Sequence, residues 1–496
     1  MRLQQGSNRS DRRTATLEMD WKVVRTVQSM SNPRWLASAV MRSAVKVVVA
    51  AALVLSACGS PVQSASSATE STPQAVAAEG TSTDGIVGDA SDPVNEIAAA
   101  AIDDLQSYWA EQFPAVYGSE YTPVSGGFHA VVPSSGELPP CASSADDIAG
   151  NAFYCPGADV VAWDSEGLRP DLRQRFGDFV IPVVMAHEWG HAIQARVNFE
   201  GMTVTSEIQA DCFAGAWAAH AVSDSTVFDP SEAELDSALA GFLYLRDEPG
   251  TSAESASAHG SGFDRVSSFR TGFDGGPMEC KPYVDGSPPV LRLPFTSRSY
   301  ADRGGDAPLA QIIDGVPEDL EDYWSLLFPE LTGRPWQPLN PVVAFDPSDA
   351  PDCGGRSATG YVLFYCVPDG HVGFDAVDAM LRFYEQGGDF AVAALIATQY
   401  GLAGMAQAGI DADDQDASLQ GDCFAGSWAA SVLLQNRPTS GYTLSPGDLD
   451  EAIAALLLFR GEGDQSRQGS GFLRVEAFRH GVMDGAQACI QRSEPT

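Results

Sequence analysis

Basic residues are scarce in this 496-residue chain, which has 29 Lys and Arg against 66 Asp and Glu and a formal net charge of −37. A surface of that charge repels a phosphate backbone, so we expect no nucleic-acid partner. Charged residues of both signs are few, at 19%, whereas hydrophobic residues make up 44%. This composition is typical of a folded protein, and the length allows two or three domains.

The first apolar run is too short to span a bilayer, because it covers only residues 47–55 before the sequence LSAC ends at Cys58. A short apolar core behind two cations is typical of a signal peptide, and the small residues before Cys58 resemble a bacterial lipobox. We therefore expect residues 1–57 to be a signal sequence and Cys58 to be lipidated. The protein would then lie on the extracytoplasmic face of the cell membrane. The alternatives are an ordinary signal peptide or a buried helix, and the start at Met41 is also open.

Residues 58–95 are rich in Ser, Thr, Ala and Pro and have few large apolar side chains. They cannot bury a core, so we expect a flexible tether. Such a segment would link the lipid at Cys58 to the folded part of the chain.

The rest of the chain contains one pattern twice. The segment ADCFAGAWAA at Ala210 returns as GDCFAGSWAA at Gly421, and GSGFDRVSSFRTGF at Gly260 returns as GSGFLRVEAFRHGV at Gly469. The matches keep a nearly constant offset over a long stretch, which chance similarity would not do. We expect a first repeat at residues 96–283, a linker at 284–308 and a second repeat at 309–492.

Each repeat opens with a helical pattern, continues through short strand-like segments and ends in several helical patterns. We therefore expect an α+β fold duplicated in tandem. Each repeat also carries four cysteines in the same register, and a duplicated fold should carry duplicated disulfides. Zinc ligation by these cysteines is the alternative. The expected pairs are Cys141–Cys155, Cys212–Cys280, Cys353–Cys366 and Cys423–Cys489.

Histidine is scarce as well, with seven in the whole chain, yet two stand close together in the sequence HEWGH, His187 to His191. The apolar spacing around them predicts a buried helix, on which His187 and His191 lie one turn apart and face the same way. Two imidazoles so placed can bind one zinc ion, and Glu188 beside them can act as a general base.

Two carboxylates follow at Glu207 and Asp211, again one helical turn apart. Catalytic zinc needs a third protein ligand and an open position. The pattern resembles the second element of the gluzincin peptidases, which implies that Glu207 binds the metal and that Asp211 orients a ligand histidine. Without HEWGH, the two side chains would be interpreted as solvated carboxylates on a helix face.

Together these segments resemble the neutral zinc metallopeptidases of bacteria, which are marked by His-Glu-x-Gly-His, Glu-x-x-Ala-Asp-Cys-x-Ala-Gly, His-Gly-Ser and a closing Gly-Phe and Cys. Here the motifs are HEWGH, EIQADCFAG, HGSGF and TGFDGGPMEC. The resemblance covers nearly all of the first repeat. It implies a zincin-like peptidase core associated with the membrane or envelope, and it does not imply a substrate.

The second repeat lacks the reactive side chains. Thr398, Gln399, Leu402 and Ser418 take the positions of the first histidine, the general base, the second histidine and the third ligand, whereas neighbouring glycine and cysteine positions are unchanged. Loss of only these side chains indicates that the first repeat is the active copy and that the second is a degenerate pseudoenzyme.

Comparison of the repeats has different implications for two more residues, His259 and Asp211. His259 is matched by Gln468, which favours a role as donor to the developing oxyanion, with an exposed loop histidine as the alternative. Asp211 is matched by Asp422 and so survives where no metal site is expected. Its role would then be partly structural, for example through hydrogen bonds to the backbone.

The sequence thus predicts a lipid-anchored zinc metallopeptidase with one zinc per chain, held by His187, His191 and Glu207. The substrate would be a peptide or protein, and the second repeat would regulate the first or bind substrate or a partner. The alternative is a non-catalytic binding lipoprotein of the envelope whose zinc is structural or vestigial. The intact Glu188 disfavours that alternative, because structural zinc needs no general base.

Overall fold

The computed structural model describes residues 85–88, 93–255, 258–284, 287–339, 341–412, 415–459 and 468–491. The expected signal sequence, Cys58 and most of the expected tether lie outside these residues. The described residues have an α+β structure that is mostly helical. Both repeats belong to one compact unit.

The first repeat contains a small mixed sheet. Its strands are β1 (Ile86–Gly88), β2 (Gly127–Val131), β3 (Ala152–Cys155) and β4 (Val160–Asp164). Their order is β1-β2-β4-β3, in which β1, β2 and β4 are parallel and β3 is antiparallel at the edge. All residues of β4 are buried, as expected for a central strand with both faces covered.

Helices make up most of the rest of the first repeat. They are α1 (Pro93–Tyr117), α2 (Leu168–Phe176), α3 (Val180–Arg196), α4 (Thr203–Ser223), α5 (Glu232–Tyr244), α6 (Gly262–Gly275) and α7 (Pro277–Cys280). The central helix α3 is buried along most of its length. Pro182 lies in its first turn, where the backbone amides have no partner within the helix, so the proline removes no hydrogen bond.

The second repeat has the same arrangement. Its three-stranded sheet contains β5 (Val343–Phe345), β8 (Leu363–Cys366) and β9 (His371–Asp375), and a separate pair contains β6 (Asp352–Cys353) and β7 (Arg356–Ser357). Strand β5 is parallel and β8 antiparallel to β9, which reproduces the relation of β2 and β3 to β4. The tandem duplication expected from the sequence is therefore also a duplication of topology.

One short helix lies in the inter-repeat segment, and the helices after it follow the order of the first repeat. They are α8 (Arg298–Ala301), α9 (Leu309–Thr332), α10 (Ala379–Gly387), α11 (Asp389–Ala408), α12 (Gln415–Leu433), α13 (Asp448–Leu458), α14 (Gly471–Asp484) and α15 (Ala486–Gln491). Helix α11 is the one described helix long and apolar enough to cross a membrane, but 89% of its apolar window is buried inside the protein. It corresponds to α3 and is the core helix of its repeat.

Four disulfide bonds stabilise the two repeats. They are Cys141–Cys155, Cys212–Cys280, Cys353–Cys366 and Cys423–Cys489, the pairs expected from the repeated register. In each repeat the longer bridge joins the helix after the core helix to the last short helix. Closing a long loop in this way restricts the unfolded chain more than a short loop would.

The segment between the repeats packs against both of them. The backbone amide of Leu291 donates to the two carboxylate oxygens of Asp264 in α6, at 3.1 and 3.0 Å. The amide of Ala307 donates to Asp389 at the start of α11, at 2.7 Å. The stretch interpreted as a linker therefore contributes ordered contacts to each repeat.

Candidate metal centre

Helices α3 and α4 approach each other closely at Gly190. A Cβ atom at this position would lie 2.6 Å from the Cα of Ala210, so any larger residue would push the helices apart. Gly401 has the same role in the second repeat, where a Cβ would lie 2.5 Å from the Cα of Gly421. The close approach in the first repeat brings Glu207 of α4 beside the histidines of α3.

The carboxylate of Glu207 lies between the imidazoles of His187 and His191. Its Oε2 is 3.2 Å from Nε2 of His187, and its Oε1 is 3.4 Å from Nε2 of His191. The three side chains each offer one donor atom, and these atoms lie within 4.8 Å of one another. Two imidazole nitrogens and one carboxylate oxygen are a donor set that zinc accepts, so the residues present fit the ion.

Hydrogen bonds fix the other nitrogen of each imidazole. Nδ1 of His187 donates to Asp211 at 2.7 Å, and Nδ1 of His191 donates to Oε1 of Gln194 at 2.9 Å. A proton held on Nδ1 leaves the lone pair of Nε2 for a metal. The amide of Gln194 is itself held by Ser206, which it contacts through both its oxygen and its nitrogen.

Gln194 was not predicted from the sequence, although the repeats contain a signal for it. Its counterpart in the second repeat is Met405, so this polar residue is lost together with the ligands. The same repeat comparison that marked His187 and His191 would have marked Gln194 as well.

A buried ion pair holds Asp211 from the other side. Arg265 of α6 donates to both oxygens of Asp211, each at 2.9 Å, and to the carbonyl of Leu245 at 2.8 Å. Arg474 makes the same bidentate contact with Asp422 in the second repeat, at 2.8 and 2.9 Å. Asp422 therefore has a structural role there, through an ion pair with an arginine.

Electrostatic coupling in this cluster is strong. Burial would lower the pKa of His187, but Asp211 and Glu207 outweigh burial and raise the pKa to about 10. Burial likewise opposes protonation of His191, and Glu207 raises the pKa of that imidazole. The two histidines in turn hold the pKa of Glu207 well below its usual range, against the effect of burial. A metal must displace protons from this cluster, so its binding is linked to pH.

A cavity of about 820 Å³ opens over the cluster. Glu188 lies on its wall and is only 6% exposed. The edge strand β3 and the end of α5 line the cavity on other sides, with Tyr154 and Phe242 among the lining residues. Such a concave, partly apolar space next to three candidate metal ligands is typical of a binding site.

His259 also lines this cavity, but its side chain is 51% exposed. Asp247 holds it through two contacts, one with the backbone amide at 2.9 Å and one with Nδ1 at 3.3 Å. The structure therefore places His259 at the rim, in the same cavity as the expected ligands.

Two of the corresponding positions of the second repeat, Thr398 and Gln399, are joined by a hydrogen bond. Thr398 donates to the carbonyl of Leu395 at 2.7 Å, and the amide nitrogen of Gln399 donates to Thr398 at 3.1 Å. Ser418 is buried nearby on α12. None of these three side chains, nor Leu402, offers an imidazole or a carboxylate to a metal.

Comparison with known proteins adds a family match over both repeats. The family model described as "Putative neutral zinc metallopeptidase" matches residues 19–283 and 296–493. Among curated proteins, YpfJ of Escherichia coli K12 is 29% identical over 157 residues, which are 26% of this chain and 53% of that protein. Rv2575 of Mycobacterium tuberculosis H37Rv is 28% identical over 151 residues, which are 25% of this chain and 52% of that protein.

Both relatives are described as uncharacterized proteins. The chain spans about half the length of the curated relatives that it matches. No solved structure gives a significant match.

Proposed function

The chain belongs to the neutral zinc metallopeptidase family, and on that premise we propose that its first repeat is a zinc-dependent peptidase with a zincin-like core. The observation that carries this proposal is the convergence of His187, His191 and Glu207, whose donor atoms lie within 4.8 Å of one another at the bottom of a cavity. Three protein ligands with space beside them are typical of catalytic zinc, whereas structural zinc has four protein ligands.

Zinc bound by these three residues would supply Lewis acidity for the scissile carbonyl and for the attacking water. Glu188 follows His187 in α3 and lines the same cavity, and we propose that its carboxylate would accept a proton from that water and return it to the leaving amine. Asp211 and Gln194 keep the two imidazoles oriented throughout. His259 at the rim is proposed as a donor to the developing oxyanion.

The substrate is proposed to be a peptide or protein held in an extended form. Strand β3 is at the edge of its sheet and lines the cavity, so its outer backbone groups are available to pair with a substrate strand. The apolar side chains of Phe242 and Leu245 on the other side would accept substrate side chains.

The second repeat is proposed to be a degenerate, non-catalytic copy. Support comes from Thr398, Gln399, Leu402 and Ser418, which replace all four reactive positions, while the Arg474–Asp422 ion pair and the topology are kept. One zinc per chain follows from this proposal. The anchor is proposed from the sequence around Cys58 alone, and with it a location on the extracytoplasmic face of the cell membrane.

A non-catalytic binding lipoprotein with structural zinc is the competing function. The open cavity over the ligands and the presence of Glu188 on its wall both favour the peptidase. Digestion of a peptide library by the full chain distinguishes the two. We expect cleavage that is abolished by a chelator and restored by zinc, whereas zinc binding without any cleavage would support the binding protein.

A further inference from the structure

Four acidic side chains come together in the second repeat at a place that is separate from the cavity lining. Asp306 lies in the segment before α9, Asp389 begins α11, and Asp448 and Glu451 lie in the first turn of α13. One oxygen from each of Asp306, Asp389 and Glu451 lies within 4.8 Å of the others. These residues play no part in the proposed peptidase chemistry.

Backbone contacts account for part of this group but leave one buried oxygen without a donor. Oδ2 of Asp389 accepts from the amide of Ala307, and Oε2 of Glu451 accepts from the amide of Phe390, at 2.7 and 2.9 Å. Asp389 is only 5% exposed, yet its Oδ1 has no hydrogen-bond partner among the described residues. A buried carboxylate oxygen without a donor is costly unless a cation or a proton satisfies it.

The position of the Asp448 carboxylate is explained by its contacts with Ser445. Both of its oxygens accept from Ser445, through the amide and the hydroxyl. Glu234 makes a similar contact with Ser231 at the start of α5. Asp448 therefore stabilises the turn that precedes α13, and it also adds negative charge to the group.

In the first repeat, an arginine neutralises the aspartate that corresponds to Asp389. Asp178, the counterpart of Asp389, accepts from Arg173 at 2.6 Å. The counterpart of Arg173 is Tyr384, whose hydroxyl donates instead to the carbonyl of Ala307. The second repeat has thus lost the arginine that neutralises this aspartate and has gained the carboxylates of Asp306 and Glu451.

Gly388 leaves the space in which the carboxylate of Glu451 lies beside Asp389. Gly388 has a φ of +90°, and a Cβ there would lie 2.2 to 2.4 Å from the carboxylate atoms of Glu451. Any side chain at Gly388 would displace this carboxylate. The approach of like charges is therefore accommodated by the fold and is not the result of loose side chains.

We propose that Asp306, Asp389 and Glu451 bind a calcium ion. Carboxylate oxygens without nitrogen or sulfur donors suit a hard cation. Three carboxylate oxygens within 4.8 Å of one another can all contact one ion at Ca–O distances of about 2.3–2.6 Å, and calcium accepts a more variable ligand geometry than magnesium does. The ion would replace the missing arginine and would tie the inter-repeat segment to α11 and α13.

Protonation is the competing way to relieve this repulsion. Burial first and then the neighbouring carboxylates raise the pKa of Glu451 to about 10 and that of Asp389 to about 6. At Asp306, burial raises the pKa, and hydrogen bonds with Asp389 and Glu451 oppose this effect more than the exposed Arg303 does. The test must therefore separate a bound ion from a shared proton.

The test is thermal unfolding of the zinc-saturated full chain over a series of CaCl₂ concentrations. We expect the midpoint to rise with the logarithm of the calcium concentration, and we expect MgCl₂ to give a smaller rise. Glu451→Gln should abolish the calcium response. The control Glu232→Gln removes an exposed charge from the first turn of α5 and should keep the response.

A second variant tests the proposal by restoring the arginine that the first repeat has at this position. Tyr384→Arg places a guanidinium where Arg173 lies in the first repeat, so it should raise the calcium-free midpoint and remove the calcium response. A parent chain without a calcium response would overturn the proposal and assign the group to shared protons. An undiminished response in Glu451→Gln would overturn it as well, because the ion would then bind elsewhere.

Discussion

Asp236 and Asp450 join the two repeats by the same contact made in opposite directions. Asp450 in α13 accepts hydrogen bonds from the first two backbone amides of α6, at 3.0 and 2.7 Å. Asp236 in α5 accepts from the first two amides of α14. Carboxylates at helix N-termini satisfy amides that have no partner within the helix and interact favourably with the helix dipole. The two repeats thus make reciprocal contacts, as the subunits of a twofold-symmetric dimer do.

This arrangement connects the second repeat to the candidate metal centre. Asp450 fixes the start of α6, and α6 carries Arg265 in its first turn. Arg265 holds Asp211, which in turn holds His187. The second repeat therefore contributes to the position of a candidate metal ligand, although Thr398, Leu402 and Ser418 replace the candidate ligands in the repeat itself.

Replacing Asp450 with alanine is expected to weaken zinc binding as well as folding. Two buried amides lose their acceptor, which costs about 1–3 kcal/mol of stability each at most, and the start of α6 is no longer fixed. Asp236→Ala is the mirror control, because it frees α14 and should lower stability without changing zinc affinity. Both variants would be measured by urea unfolding and by competition with a chromogenic zinc chelator. Equal losses of zinc affinity in the two variants would contradict this connection.

Glu188→Gln is expected to separate metal binding from turnover. Glutamine keeps the size of the side chain but cannot accept the proton, so hydrolysis should fall by a factor on the order of 10² to 10⁴ while zinc is retained. His187→Ala and Glu207→Ala should instead lose zinc, because a three-ligand site has none to spare. The measurements are metal content and peptide hydrolysis.

The matched control for that series is Gln399→Met, which changes the equivalent position of the second repeat and should affect neither zinc content nor hydrolysis. Full activity of the Glu188→Gln protein would refute the general-base role. A zinc ion that persists in His187→Ala would refute a single site in the first repeat.

Acid is expected to weaken the contact between the repeats at Glu476. Its carboxylate accepts from Arg270 of the first repeat at 2.7 Å. Burial would raise the pKa of Glu476, but His480, Arg270 and Arg479 lower it from 4.5 to about 2. A lowered pKa adds stability that is complete above the unfolded value of 4.5 and is lost as the pH falls toward 2. The contribution is on the order of 3 kcal/mol.

Glu476→Gln tests this pH dependence, because glutamine does not titrate. Urea unfolding at pH 6 and at pH 3 should show the parent losing more stability than the variant between the two values. The same pH dependence in both proteins would show that Glu476 does not carry the effect.

The local parts of the site could be predicted from the sequence. The spacing of His187 and His191 requires only that a helix form, and the position of Glu207 follows from a second helix packed against the first. The disulfide pairs were predictable because each repeat carries the same four cysteines.

The contacts between distant residues could not be predicted. Arg265 lies in a helix far along the chain from Asp211, and no periodic pattern links the two, although the arginine recurs at the matching position Arg474. The reciprocal contacts of Asp236 and Asp450 depend on how the two repeats dock, which hydrophobic periodicity does not specify. The acidic group around Asp389 was missed for the same reason, since its members come from three separate elements.

Cys58→Ala is expected to release the protein from the membrane. The residue lies outside the described part of the chain, so this prediction rests on the lipobox-like sequence. A covalently attached pair of acyl chains anchors a protein that its polar tether cannot hold at the membrane. Fractionation of cells that express the variant is the measurement, and Ser60→Ala is a control that leaves the motif intact. A Cys58→Ala protein that stays with the membrane would exclude lipid at this residue as the anchor.

Arg265→Lys distinguishes most clearly between an effect on zinc affinity and an effect on folding stability. Lysine keeps the positive charge but cannot make the bidentate contact with Asp211, so the orientation of His187 should loosen. Loss of such an outer contact typically lowers metal affinity about 10- to 100-fold. Arg474→Lys breaks the same contact with Asp422 in the second repeat, where no ligand depends on it. We therefore expect comparable losses of stability in urea unfolding for both variants and a loss of zinc affinity for Arg265→Lys alone. Unchanged zinc affinity in Arg265→Lys would mean that Asp211 keeps its place without the arginine, and the structural role of the ion pair would then be the same in both repeats.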